Sequence, residues 1–151
     1  MPSVHEYPVS VEWTGGREGS GKVTAQHSGA ANSIAVPKEF NGPGNGTNPE
    51  ELLSSSIAAC YTMTFGIIAQ NRKLPIQSVK TEATGQVEQN GAQFTYTGMT
   101  IRPTITLEPG ATEEQAKLAE DMAHKADLYC IITNAVRDKV KIEVQPKIVR
   151  S

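Results

Sequence analysis

The residues in this chain best suited to covalent chemistry are two cysteines, Cys60 and Cys130. Two are too few for a secreted disulfide scaffold, and neither has a C-x-x-C companion that would suggest a metal. Cys60 is flanked by Ala58, Ala59 and Tyr61 within a long stretch that carries no charge. On residue type alone a thiol in such surroundings reads first as a small core hydrophobe, and apolar burial raises its pKa. A nucleophilic role requires the opposite shift. The dipole of its own helix cannot supply it, because Cys60 lies twelve residues beyond Asn48 and that influence fades within the first turn. A cation arriving from elsewhere is therefore expected if Cys60 is reactive.

Other signals are weaker. Gly16 to Gly21-Lys22 follows most of a phosphate-loop spacing, but Val23 stands where a magnesium-holding Ser or Thr belongs, and strands flank the segment on both sides. Asn45-Gly46-Thr47 is a glycosylation sequon with meaning only in an exported protein. His5, His27 and His124 share no ligand spacing, and His124 with Cys130 would make only half a zinc site.

The elements that must position the cysteines are legible from periodicity and caps. Val9, Val11 and Trp13 alternate with polar residues as a half-buried strand. After a glycine-rich turn, Lys22 to Gln26 returns, and Ser33 to Val36 makes a third strand. Asn48 is an N-cap, Pro49 suits the first helical position, and Glu51 stands where a capping box needs it. The helix that follows, Leu52 to Asn71, has no charged side chain, yet its Ser, Thr, Gln and Asn content argues against a membrane span. A helix without a charged face is expected to be buried on most sides, more cover than one small domain gives, so a partner subunit is implied. Val79 to Glu88 and Gln93 to Leu107 are two long strands around Asn90-Gly91. Thr112 to Gln115 caps a second helix reaching about His124. A third helix is expected near Asp127 to Arg137 with Cys130 inside it and Leu128, Ile131, Ile132, Ala135 and Val136 on an apolar stripe. Val140, Ile142 and Val144 close the chain as a strand. This order gives an α+β fold in one domain, residues 1–151.

Composition narrows the function. Charged residues at 20% and hydrophobic ones at 38% are ordinary for a folded soluble chain. A formal net charge of −2 without a basic run argues against nucleic-acid binding. The opening residues, Met1 to Glu6, carry no basic start and apolar run, so a reducing cytoplasm is the expected compartment.

The run Thr47-Asn48-Pro49-Glu50-Glu51-Leu52-Leu53, closed by Ala59-Cys60, resembles the peroxidatic-cysteine helix of the OsmC/Ohr peroxidases. Gly15-Gly16-Arg17-x-Gly19 resembles their arginine turn, and Val36 to Phe40 followed by Gly42-Pro43-Gly44 resembles the loop before the helix. Cys130 to Ala135 stands where that family has its resolving cysteine, with Ile131 in place of the usual Pro. The resemblance implies an intertwined homodimer with buried central helices against antiparallel sheets. It also implies a cytoplasmic peroxidase that reduces organic hydroperoxides, and hydrogen peroxide more weakly. Cys60 would pass through a sulfenic acid to a disulfide with Cys130, reopened by a dithiol such as a lipoylated protein, with no cofactor and no metal. Arg17 would activate the thiol and Glu50 orient the guanidinium, with Lys38 in the loop before the helix as the alternative cation. Since Glu50 and Cys60 are about 15 Å apart along the helix, the pair is expected to serve the cysteine of the other subunit. Tyr61, Met63, Phe65 and Leu128 are candidate pocket linings. Two other readings stay open: a redox sensor or dimeric binding protein that oxidises only once, and a nucleotide binder using the Gly16 to Lys22 loop.

Overall fold

The computed structural model describes residues 2–150, which fall into two compact units dividing between Leu52 and Leu53. The first is an antiparallel meander of β1 (Val9–Thr14), β2 (Ser20–Ala25) and β3 (Ala31–Ile34). Trp13 lies across the strand returning from the turn. Gly19 and Gly21 have no side chain to collide with its ring, and its indole N–H donates to the Gly15 carbonyl at 2.9 Å. The alternation of Val9, Val11 and Trp13 does set one face of β1, but it is not half-buried within the chain. All three side chains are exposed, since an antiparallel sheet can leave one face to solvent.

Helix α1 (Pro49–Asn71) starts where the caps predict. The Asn48 side chain accepts from the Glu51 N–H at 2.8 Å, while Glu51 accepts from the Thr47 hydroxyl instead of completing a capping box. Ile57, Tyr61, Phe65 and Ala69 recur every four residues and form its only buried stripe among the described residues. The expectation of burial on most sides is thus corrected for the single chain: Met63 is 67% and Ile67 58% exposed on the opposite face.

In the second unit, β4 (Ile76–Asn90) and β5 (Gln93–Leu107) make a long hairpin. Its two loop residues are Gly91, at φ 63, and Ala92, one position later than the turn expected from Asn90-Gly91. Strands β6 (Lys141–Val144) and β7 (Lys147–Val149) pair in tandem, both parallel to β5. Pro146 separates them, and β7 was not visible as periodicity in so short a segment. Helix α2 (Glu113–Lys125) opens on the expected capping box at Thr112. The α1 stripe joins Met99, Ile101, Ile105 and Leu107 of β5 and Ala119, Met122 and Ala123 of α2 in one apolar core. Two hydroxyl pairs fix α1 on the hairpin: Ser54 with Tyr96 at 2.7 Å and Thr62 with Thr81 at 2.5 Å. Gly85 leaves the room that the first pair occupies.

Candidate active site

Cys60 lies on α1 one residue before Tyr61, at the edge of the buried stripe, and stays partly exposed. Tyr61 anchors this turn: its hydroxyl donates to the Ala123 carbonyl at 2.5 Å. Burial and the nearby Asp127 charge hold the Tyr61 phenol neutral, with its pKa pushed up.

Cys130 is not inside a helix. A 3-10 turn, Ala126–Tyr129, ends at Cys130, which takes an extended conformation and caps α3 (Ile131–Val136). Its Sγ accepts from the Thr133 N–H at 3.4 Å, the part that a Ser or Asp oxygen usually plays. The expected apolar stripe gives way because the buried positions are Ala126, Asp127, Cys130 and Thr133, while Leu128, Tyr129 and Ile131 are exposed. Burying Asp127 needs a partner, and Arg137 provides it from the end of α3. Its guanidinium donates to the Asp127 carboxylate at 3.3 Å and to the Asp127 carbonyl at 2.8 Å. Arg137 also donates to the Asn134 side-chain oxygen, and Asn134 donates to the Leu128 carbonyl at 3.1 Å. This polar bracket fixes the backbone on both sides of Cys130.

Cys60 and Cys130, far apart in the chain, act on each other's thiols. Burial pushes the Cys60 thiol up, but it is outweighed by donors that favour the thiolate. These are the Cys130 S–H, the Ile132 N–H, the Thr64 hydroxyl, whose oxygen is 4.0 Å from Sγ, and the Ile131 N–H. The net direction for Cys60 is down. Cys130 goes the other way, through burial first and then through the hydrogen bond in which it keeps its proton for Cys60. The two thiols are thus pushed in opposite directions, Cys60 towards the thiolate and Cys130 away from it. The expectation that only a cation could lower Cys60 is corrected here, since neutral donors of the second unit already do so.

The matching family model, an OsmC-like protein, covers residues 42–145, well over half of the chain and including both cysteines. The chain belongs to the OsmC-like family. Among its relatives, the uncharacterized protein YmaD of Bacillus subtilis is 30% identical over 144 residues, 95% of each chain. An organic hydroperoxide resistance protein of Xanthomonas axonopodis pv. citri is 27% identical, across 90% of this chain and 91% of its own. The peroxiredoxin OsmC of Escherichia coli is 25% identical across 89% and 92%. The fold matches that of an organic hydroperoxide resistance protein from Legionella pneumophila with a TM-score of 0.74, at 24% identity and over 95% of this chain and 99% of that one. Peroxidase-type chemistry is therefore a property of the family, and the mixed α/β architecture is shared with it.

Of the other expected site residues, Arg17 sits in the β1–β2 turn of the first unit and donates to the Phe40 carbonyl at 3.0 Å. Glu50 lies in the first turn of α1, where its charge suits the helix N-terminus. Tyr61 and Phe65, expected as pocket lining, are fully buried core residues, whereas Met63 and Leu128 are exposed. Sequence reading missed Arg137, Asn134, Thr133 and the N–H groups of Ile131 and Ile132. The one available signal was an acid–base pair, Asp127 and Arg137, bracketing Cys130.

Proposed function

We propose that this chain reduces organic hydroperoxides by thiol chemistry centred on Cys60. The observation that carries the reading is a pair of free thiols, a partly exposed Cys60 pushed down and a buried Cys130 pushed up, each acting on the other. The thiolate attacks one oxygen of ROOH, the O–O bond breaks, and RO⁻ leaves to take a proton as ROH. Cys60 is left as a sulfenic acid. Cys130 condenses with it to a disulfide, and an external dithiol, a lipoylated protein being the candidate, reopens the bond. Arg17 and Glu50 complete the site in this reading, the guanidinium supporting thiolate and leaving oxygen and the carboxylate orienting it across the subunits of a homodimer. Both cysteines are free thiols, which suits a reducing cytoplasm.

In steady state with a dithiol, the protein is expected to turn over an aryl alkyl hydroperoxide faster than hydrogen peroxide. A single stoichiometric oxidation without turnover would make it a sensor instead.

The dimer rests on two uncovered apolar faces, Met63 and Ile67 of α1 and Val9, Val11 and Trp13 of β1. Sedimentation velocity is expected to give the mass of two chains. A monomer at micromolar concentration would remove both the dimer and the shared site.

A further inference from the structure

Thr133 is fully buried three residues after Cys130, to whose sulfur its N–H donates at 3.4 Å. Its hydroxyl Oγ1 has no hydrogen-bond partner among the described residues. A buried polar atom in that state is disfavoured, and valine would fill the same space without the penalty. The hydroxyl is nevertheless close to Cys130, acting with the Thr133 N–H against the upward push of burial and of Cys60.

We propose that the Thr133 hydroxyl serves the oxidised site, donating to the Cys130 thiolate as that sulfur attacks the Cys60 sulfenic acid. The inference deepens the peroxidase reading and rests on it. In the reduced site Cys130 keeps its proton and offers it to Cys60, so its own sulfur calls for little support. Once Cys60 carries a hydroxyl, the demand reverses, and Cys130 must lose that proton inside a buried pocket. An anion there needs donors. The Thr133 N–H already donates to that sulfur, and the same buried residue carries a hydroxyl that is otherwise unpartnered. The titratable neighbours are Cys60 from α1 and Asp127 from the preceding turn, the latter paired with Arg137. In the step itself Cys130 sulfur attacks Cys60 sulfur, the S–S bond forms and the S–O bond breaks. Hydroxide leaves and combines with the proton lost by Cys130 to give water. Cys60 is reduced from sulfenic acid to disulfide while Cys130 is oxidised from thiol to disulfide.

The test compares wild type, Thr133→Val and Thr133→Ser after one equivalent of aryl alkyl hydroperoxide, trapping the sulfenic acid with a cyclic dione. Thr133→Val is expected to lengthen the lifetime of the sulfenic acid about fivefold, allowing for the higher intrinsic nucleophilicity of a more basic thiolate. Thr133→Ser should stay within about twofold of wild type, and the rate of Cys60 oxidation should not change in either variant. A merely structural role would slow both steps and would not be rescued by serine. In a Cys60→Ser background, thiolate absorbance against pH should place the Cys130 midpoint higher for Thr133→Val, which lacks the hydroxyl, than for the native Thr133 or for Thr133→Ser. If wild type never forms a sulfenic acid, the peroxidase reading fails, and this second measurement alone decides Thr133. Equal lifetimes and equal midpoints in all three proteins overturn the proposal.

Discussion

Replacing Cys130 with alanine is expected to give a protein that consumes two equivalents of hydroperoxide, slowly, and then stops. Two separate losses lie behind this. Without the Cys130 sulfur nothing condenses with the sulfenic acid, so Cys60 proceeds to the sulfinic state and multiple turnover with a dithiol disappears. Without its S–H, Cys60 also loses the strongest donor that favours its thiolate, while the burial that opposes the thiolate remains. The thiolate titration should therefore move up. Cys130→Ser separates the two effects. A hydroxyl can still donate, so its Cys60 titration should stay near wild type while turnover is lost as completely. The same linkage reaches stability. Since the folded state holds the Cys60 pKa below its unfolded value, the thiolate adds stability above the unfolded pKa, and that contribution fades as pH falls through the folded one. In wild type Cys130 opposes this increment, because its own raised pKa loses stability as pH rises, so chemical denaturation at about pH 9 and above should show it in Cys130→Ser, which keeps a donor without a second thiol, and show less of it in Cys130→Ala. A Cys130→Ala protein with an unmoved Cys60 titration and normal turnover would mean that Cys130 neither prepares nor resolves Cys60.

Much of the frame was legible because local rules governed it. Asn48 and Pro49 start α1, and Thr112 with Gln115 starts α2, where side chains a few residues apart satisfy the first N–H groups. The two cysteines could be singled out for the same reason: thiols are few and their motifs are contiguous. What stayed hidden depends on chain segments far apart. The neighbours of Cys60 along its own helix are apolar, whereas the groups that draw its thiol down belong to Cys130, Ile131 and Ile132, which only the fold brings to it. The segment around Cys130 misled through its apolar spacing. Leu128 and Ile131 suggest a helical stripe, but burial follows Asp127, Cys130 and Thr133, and a cysteine gives no capping signal to mark the break. The alternation in β1 and the absence of charge in α1 tell that a face is apolar, not which molecule covers it.

The residue outside the cysteines whose loss should cost most is Arg137. Asp127 is only 8% exposed, and its charge is matched by the Arg137 guanidinium, which also holds the Asp127 carbonyl and Asn134. Arg137→Leu would strand a carboxylate in the core beside Tyr61, whose phenol already feels that charge. Removing one partner of a fully buried pair costs about 3–5 kcal/mol. The Arg137 side chain is 36% exposed and that of Asp127 12%, so water can relieve part of the loss and about 2 kcal/mol is the expected figure. Urea denaturation measures it. Arg137→Lys should recover less than half, because one ammonium cannot reach the carboxylate, the carbonyl and Asn134 together. The double change Asp127→Asn with Arg137→Leu should be more stable than Arg137→Leu alone, since the stranded charge is gone. Function should follow the same order. The bracket fixes the turn that presents Cys130, so disulfide closure in Arg137→Leu should slow about tenfold while Cys60 still forms a sulfenic acid. Wild-type stability and closure in Arg137→Leu would show that the bracket is ornamental and that core packing of Ala126 and Thr133 alone holds Cys130 in place.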